Sequence, residues 1–332
     1  MRKLVIASET IDQNVDFDVR SSLERSEAAE IEAELRAGVK LGVFAQSASF
    51  LRETWNACAG RFADLEKSAI KLVMLPPIRQ SVAATRENLY LPAGAPKGGV
   101  VCLHGSEGGW AGWNDVACAL FAANGFAALS HNYTLNARWL VHPDIDNVPL
   151  ESTQAALAAM RLELAPFGCG VGLYGVSRGA ERALLLAQLL AEDGCAEAPD
   201  AIAVHSPPDE AWPAFLVADF VTGEPWAGDR QRSAWSWRGS HERTRPGTPL
   251  GGAALTRYPL FIAQGAEDKI SDAEMARRLV ERLTHAGRAP EAHFFDGEGH
   301  VFQASTRNRE WALLIEFFER HLAVRVRDTK DH

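Results

Sequence analysis

The chain has 332 residues, 47% of them hydrophobic and 23% charged, which is ordinary for a folded globular protein and excludes a wholly disordered chain. Its 34 Lys and Arg against 43 Asp and Glu give a net charge of -9, the wrong sign for a protein that coats nucleic-acid phosphates. No apolar run approaches the roughly 20 residues of a membrane span, and the five cysteines show no zinc-ligand spacing, so we expect a cytoplasmic protein without metal or cofactor.

Residues 1–80 differ in pattern from the rest of the chain. Apolar side chains recur there at spacings of three and four, which is typical of amphipathic helices. They include Leu23, Ala28, Ile31, Leu35, Val39, Leu41, Phe50, Leu51, Trp55, Phe62 and Leu65. Pro76 and Pro77 end the pattern. We predict a helical N-terminal extension that packs on the main domain or joins two copies of the chain in a homo-oligomer.

From residue 81 to about 325, strand-like and helix-like segments alternate. This alternation predicts an α/β domain with a mostly parallel sheet flanked by helices. The predicted strands are 82–91, 99–103, 126–130, 171–174, 201–204, 260–263 and 292–295. The predicted helices are 115–123, 149–164, 180–191, one that begins with a capping box of Ser271 and Glu274, and a last one whose apolar stripe runs from Trp311 to Leu322.

One stretch, 206–258, interrupts the alternation and is rich in proline and tryptophan. An insertion of this length in a compact domain is usually functional, so we predict a lid or cap over the site. It carries five arginines, Arg230, Arg232, Arg238, Arg243 and Arg245. They either bind the phosphates of a coenzyme A leaving group or, as the slightly favoured alternative, face solvent. In the second case we expect them to pair with Glu224, Asp229 and Glu242.

The sharpest motif is the pentapeptide from Gly175 to Gly179, which matches Gly-x-Ser-x-Gly between a predicted strand and a predicted helix. Such a turn presents Ser177 at the end of the strand, beside the positive end of the next helix, and the two glycines avoid clashes. The alternative is an ordinary strand-to-helix turn with a capping serine. The strand and helix on either side favour a nucleophile.

A serine nucleophile needs a base and an orienting acid, which follow it in the order acid, then histidine, in sheets of this kind. Asp268 lies at the end of the strand before the capping box, and Glu267 competes with it for the role. His300 follows the last strand in a glycine-rich loop, whereas its rival His293 lies inside that strand. We therefore predict that Asp268 orients His300 as the base for Ser177.

Acyl transfer also needs N–H groups that bind the developing oxyanion. One donor is expected to be the backbone N–H of Arg178, directly after the nucleophile. The other is expected in the loop 104–109, where Ser106 is our choice and Glu107 the alternative. His104, His131 and His205 lie at the ends of other strands and are candidates for the wall of the pocket.

From about Arg86 onward the chain resembles an α/β-hydrolase. Its elbow, Gly175 to Glu181, resembles that of the acyl-CoA thioesterase and bile acid-CoA:amino acid N-acyltransferase C-terminal domain, which reads G-x-S/C-K/R-G-A-E. The segment 233–239 is similar to that family as well. The amino-acid-conjugating members carry a cysteine where this chain has Ser177. The dienelactone hydrolases are also similar.

This resemblance implies a catalytic triad of Ser177, Asp268 and His300. The implied activity is hydrolysis of an acyl ester or thioester through an acyl-enzyme, as in an acyl-CoA thioesterase. A carboxylesterase, a dienelactone hydrolase-like enzyme and a peptidase-like hydrolase are alternatives that use the same triad. A binding module that keeps the fold without catalysis is the alternative from another class.

Overall fold

The computed structural model describes residues 4–6, 71–75, 79–80, 83–84, 87–106, 108, 113–134, 144–216 and 231–323. Among these residues, no helix is both long and apolar enough to cross a membrane.

A twisted sheet forms the centre of the molecule. The described strands are β1 (Leu4–Ile6), β2 (Lys71–Leu75), β3 (Arg79–Gln80), β4 (Ala83–Ala84), β5 (Glu87–Leu91), β6 (Gly99–Leu103), β7 (Ala127–His131), β8 (Val148–Pro149), β9 (Val171–Val176), β10 (Ala201–His205), β11 (Trp235–Ser236), β12 (Leu260–Gly265) and β13 (Glu291–Phe295). Nine of these described strands form one sheet in the order β1-β2-β5-β7-β6-β9-β10-β12-β13. Within this sheet, neighbouring strands are parallel along the run β7, β6, β9, β10, β12 and β13. At the other edge, β1, β2 and β5 pair antiparallel.

Helices cover both faces of this sheet. The described helices are α1 (Trp113–Ala123), α2 (Glu151–Leu164), α3 (Arg178–Glu192), α4 (Ala273–His285) and α5 (Ala304–Leu322), with a short 3-10 helix at Ala253–Arg257. Apolar residues of α1 and α5 share one core, and those of α2, α3 and α4 share the other. Successive residues of β6 alternate between the two cores, and every residue of that strand is buried. A continuous apolar run is what a strand covered on both faces requires.

Most elements predicted between 99 and 322 are confirmed within a few residues, and so is the mostly parallel sheet flanked by helices. The capping box is not: helix α4 begins at Ala273, and its N-cap is Asp272, whose side chain accepts from the N–H of Glu274. Ser271 is buried one residue earlier, where its N–H donates to Asp268. An aspartate and a serine are similar N-cap residues, so sequence alone does not choose between neighbours.

The predicted helical extension over 1–80 is largely outside the described residues. Its described parts are strands, among them β1 and β2, which extend the sheet at its antiparallel edge. The helical pattern from Leu23 to Leu65, and with it the predicted contact between two copies, lies outside the described part of the chain.

The predicted lid is described at 206–216 and 231–258, and these parts are packed onto the domain. The indole of Trp235 is fully buried, and Trp237 and Leu250 join the same core. Strand β11 pairs with β8, which ties the insertion to the segment that precedes α2. These described parts of the insertion therefore belong to the body of the domain.

Candidate active site

Ser177 lies at the junction between β9 and α3 in a conformation that non-glycine residues rarely adopt. Its φ is 54° and its ψ is -117°. The turn is possible because the residues two before and two after it have no side chain. A Cβ on Gly175 would lie 2.2 Å from the carbonyl oxygen of Gly179, and one on Gly179 would lie 2.4 Å from that of His104. Backbone strain of this kind is concentrated at functional sites, so it is consistent with the role predicted for Ser177.

Backbone hydrogen bonds hold this elbow at the carboxyl edge of the sheet. The N–H of Ser177 donates to the carbonyl of His205 over 2.9 Å, and its own carbonyl accepts from Glu181 over 3.1 Å. That second bond is the first of helix α3, so the N–H groups of Arg178, Gly179 and Ala180 precede the first hydrogen bond of the helix ladder. These N–H groups lie at the N-terminal end of α3, where Ser177 is the N-cap residue. The role of the Arg178 N–H as an oxyanion donor stays a prediction.

Asp268 and His300 are brought together by two neighbouring strands, β12 and β13. His300 Nδ1 lies 2.8 Å from Asp268 Oδ2. The other oxygen, Oδ1, accepts from the N–H groups of Ile270 and Ser271 over 2.8 and 3.0 Å. Burial acts to raise the pKa of Asp268, but the hydrogen bond and charge of His300 and the Ile270 N–H outweigh it and lower that pKa. The carboxylate is therefore ionised at neutral pH and can orient the imidazole.

The rivals of these two residues do not share this geometry. Glu267 is exposed, whereas Asp268 is only 4% exposed. His293 lies in β13, where its ring faces Phe261 and its Nε2 is 3.3 Å from Glu291 Oε1. Burial and contact therefore both favour Asp268 and His300.

The loop after β12, which carries Asp268, and the loop after β13, which carries His300, also touch through their backbones. The N–H of Glu267 donates to the carbonyl of Glu298 over 2.9 Å. A Cβ on Gly265 would lie 2.1 Å from the carbonyl oxygen of Gly299, so only glycine allows this approach. Gln264 adds a side-chain bond from its Nε2 to Asp268 Oδ2, over 3.2 Å, which the sequence did not single out.

The loop after β6 lies against the start of α3 on the other side of Ser177. Ser106 is half-buried in this loop, and its rival Glu107 is outside the described residues. The hydroxyl of Tyr133 donates to the carbonyl of His104 over 2.8 Å, and His104 Nδ1 lies 2.7 Å from the carbonyl of Gly105. Burial lowers the pKa of His104 to about 3, so its ring is neutral and donates to that carbonyl. His104 and Tyr133 thus hold the loop rather than line an open pocket.

His131 also lies inside the fold. Its ring is fully buried, and its Nε2 lies 3.0 Å from the hydroxyl of Thr153. His205 has a different environment, because its ring contacts Glu310 and Arg307 of α5. Sequence reasoning passed over both of these charged residues. A signal was available, since they share a helical face with the apolar residues Trp311 and Leu314.

A second buried pair attaches the insertion to the elbow. Arg178 Nη1 lies 2.8 Å from Glu181 Oε2, and its guanidinium stands over the rings of Trp212 and Trp235 at 5.8 and 5.4 Å. Glu181 Oε1 accepts from the Trp212 N–H and from the indole of Trp235 over 2.9 and 2.7 Å. Arg178 also donates to the carbonyl of Pro213. Arg178, the residue after Ser177, thus holds the insertion over the elbow.

Three of the five arginines in the insertion pair with acids on the body of the domain. Arg243 contacts Glu192 and Asp193, Arg238 contacts Asp193, and Arg232 contacts Asp146. These acids differ from those expected, but the pairing agrees with the interpretation that the arginines do not bind phosphate. Arg230 lies outside the described residues, and so do Glu224 and Asp229.

The chain is similar in structure to several solved hydrolases. Carboxyl esterase 2 from the mycorrhizal fungus Tuber melanosporum matches with a TM-score of 0.54 and 17% identity, over 77% of this chain and 88% of that one. A puromycin-hydrolysing peptidase of Mycobacterium tuberculosis matches with a TM-score of 0.54 and 16% identity, over 76% of this chain. This chain spans only 40% of the length of that peptidase. A lipase in an open form matches with a TM-score of 0.51 and 15% identity, over 76% and 99% of the two chains.

No family model and no curated protein sequence matches the chain. The structural similarities establish that the chain has the α/β-hydrolase fold.

Proposed function

We propose that this protein is a serine hydrolase that cleaves an acyl ester or thioester through an acyl-enzyme, with Ser177, His300 and Asp268 as its catalytic triad. The observation that carries this proposal is the strained Ser177 at the carboxyl edge of the sheet that also carries the 2.8 Å contact between His300 and Asp268. These residues stand in the chain order that this fold uses.

In the proposed mechanism, Ser177 Oγ attacks the acyl carbonyl while His300 Nε2 takes the hydroxyl proton. Asp268 accepts the Nδ1–H of His300 and stabilises the imidazolium. The N–H groups of Arg178 and Ser106 bind the oxyanion of the tetrahedral intermediate. The intermediate then collapses, the leaving alcohol or thiol takes the proton from His300, and the acyl group remains on Ser177. Water, deprotonated by His300, attacks this ester and releases the acid and the free serine.

Two observations bear on the leaving group. Two of the structural neighbours described above are an esterase and a lipase, which supports ester hydrolysis. The elbow sequence resembles acyl-CoA thioesterases, but Arg232, Arg238 and Arg243 are already paired with carboxylates. We therefore propose the ester as the first substrate class to test and the thioester as the second.

The first experiment replaces Ser177 with alanine and follows hydrolysis of p-nitrophenyl esters and acyl-CoA thioesters of graded chain length. Loss of a triad nucleophile costs about 10⁶-fold in kcat in a serine protease, so we expect no measurable turnover. A fluorophosphonate should label the wild type but not this variant. Ser233→Ala, another buried serine, is the control and should keep both labelling and activity.

Full activity in the Ser177→Ala protein would overturn the proposal. A wild-type protein that neither turns over any of these substrates nor reacts with the fluorophosphonate would favour the non-catalytic binding module instead.

The second experiment compares Asp268→Asn with Glu267→Gln. We expect Asp268→Asn to lose about 10⁴-fold in kcat, because an amide stabilises the wrong tautomer of the histidine. Glu267→Gln should be close to the wild type because that side chain is exposed. Circular dichroism checks that both variants fold. The reverse ranking would reassign the orienting acid to Glu267.

A further inference from the structure

His205 connects the two halves of the proposed active site. It is the last residue of β10, between β9 and β12, and it is 1% exposed. Its backbone carbonyl accepts from the N–H of Ser177 over 2.9 Å. Its ring Nε2 lies 3.0 Å from the backbone carbonyl of His300. The backbone of His205 thus contacts the backbone of the proposed nucleophile, Ser177. Its side chain contacts the backbone of the proposed base, His300.

Both ring nitrogens of His205 face oxygen. A backbone carbonyl can only accept, so Nε2 must carry a hydrogen. Nδ1 lies 2.7 Å from Glu310 Oε1. Burial acts to raise the pKa of Glu310, but the charges and hydrogen bonds of Arg307 and His205 lower it to about 2. An ionised carboxylate only accepts, whereas Arg307 Nη1, which lies 3.1 Å from the same ring nitrogen, only donates, so Nδ1 stands between the two members of this ion pair.

The other groups around the ring restrict its position. Arg307 Nη1 lies 2.7 Å from Glu310 Oε2 and 3.1 Å from His205 Nδ1. The ring of Phe302 packs edge-on to the imidazole at 4.5 Å. Glu310 and Arg307 come from α5, and Phe302 from the segment between His300 and that helix. The last helix therefore holds the imidazole in the plane from which Nε2 reaches the carbonyl of His300.

We infer that His205 is a positioning residue: its Nε2–H fixes the backbone of His300, so that the His300 imidazole stays against Asp268, and Glu310 fixes the ring of His205. This inference rests on the proposed function, because it assigns His205 to the same triad. The loop that carries His300 is rich in glycine, and its backbone contacts with the loop after β12 lie at Glu298 and Gly299, before His300 itself. A donor from a central strand supplies such a restraint at the residue where it is needed.

Two amide substitutions separate the two ring nitrogens. In His205→Gln the side-chain amide nitrogen lies close to the position of Nε2, so it can still donate to the carbonyl of His300. In His205→Asn the amide nitrogen lies close to the position of Nδ1, so it can donate only toward Glu310. Each variant therefore keeps one hydrogen bond of the pair and loses the other.

We expect kcat of His205→Asn to fall by about 10- to 100-fold, since a small displacement of a catalytic group has effects of this size. His205→Gln should keep most of kcat, and KM should change little in both. Thermal unfolding measures the stability of both variants. If the role of His205 were purely structural, kcat would fall together with stability. Leu157→Ala, a buried residue of α2, is the control for lost stability without lost kcat.

A His205→Asn protein as active as His205→Gln would overturn the inference. The inference would also be overturned if the kcat values of the two His205 variants and of Leu157→Ala all fell in step with their unfolding temperatures. These outcomes differ from failure of the proposed function, which appears as unchanged activity in Ser177→Ala. If Ser177→Ala is inactive and both His205 variants are fully active, the triad stands and the positioning role is wrong.

Discussion

Two buried arginine–glutamate pairs, each three residues apart on a helix, lie against opposite faces of the sheet. Arg178 and Glu181 belong to α3, and Arg307 and Glu310 belong to α5. The distances are 2.8 and 2.7 Å, and both glutamates are almost fully buried. The two glutamates nevertheless differ in the direction in which their pKa is shifted. Spacing and burial alone therefore do not set the electrostatic character of a pair.

The difference arises from the other groups that each glutamate contacts. Burial raises the pKa of Glu181 more than Arg178 and the two tryptophan N–H donors lower it. Glu310 faces a second basic group, His205, in addition to its arginine, and its pKa is lowered to about 2 despite burial. Glu181 on α3 accepts from two neutral N–H donors of the insertion, whereas Glu310 on α5 contacts the ring of a histidine. A charged pair in a protein interior must thus be judged with all of its neighbours.

The sharpest test of this comparison is Glu310→Gln, for which we expect the largest loss of stability. Removal of the carboxylate leaves the buried Arg307 guanidinium without its anion, and breaking a buried pair costs about 3–5 kcal/mol in the free energy of unfolding. Urea unfolding at pH 7 measures this loss. Glu316→Gln, an exposed position on the same helix, is the matched control and should be neutral.

The pH dependence of this variant adds a second readout. A glutamate with a lowered pKa adds stability that is present above its unfolded pKa, near 4.5, and is lost as the pH falls through its folded value of about 2. The wild type should therefore lose stability over this window, and Glu310→Gln should lose less. An equally steep acid response in both proteins would contradict the assignment of a lowered pKa to Glu310.

Glu181→Gln should have a smaller effect, about 1–3 kcal/mol, because an amide oxygen still accepts from the two tryptophan N–H groups. The pKa of Glu181 is raised, so its ionisation costs stability as the pH rises through the unfolded and then the folded value. Urea unfolding at pH 4 and pH 7 should show that this substitution does not flatten the acid response. If Glu181→Gln and Glu310→Gln behave alike, the two pairs are equivalent and the comparison fails.

The smallest effect is expected for Arg243→Ala, on the exposed side of the insertion. Its pairs with Glu192 and Asp193 are partly solvated, so the loss should stay below about 1 kcal/mol. KM for an acyl-CoA should match that of the wild type. Arg245→Ala, an exposed arginine in the same segment, is the control. A raised KM for acyl-CoA, with an unchanged KM for a small ester, would restore the phosphate-binding interpretation.

Local features of the chain allowed the framework of the site to be predicted. The strand, tight turn and helix around Ser177 are encoded within a few residues, and the strand ends place Asp268 and His300 at the same sheet edge. The buried networks could not be predicted in this way. His205 and Glu310 are 105 residues apart, and Glu181 and Trp235 are 54 apart. Such partners are defined by packing rather than by spacing.

The insertion illustrates the same limit. Its length suggested a lid or cap, and its arginines suggested either a phosphate site or, as the slightly favoured alternative, a solvated surface. The structure packs Trp235 into the core and pairs Arg243 with α3, through contacts between residues about 50 positions apart. A charge cluster in a sequence contains no information about which distant acids it meets.

The contacts of Gly175, Gly179 and Gly265 have a consequence for how this protein can diverge. At each of these positions a single methyl group would lie 2.1–2.4 Å from a backbone oxygen, which no side-chain movement relieves. A residue other than glycine at any of these three positions would therefore displace the backbone of the turns that present the proposed serine, acid and histidine. New substrate preferences are therefore expected to arise in the segments that border these turns, among them the insertion, which meets the domain through strand β11 and through buried side chains such as that of Trp235.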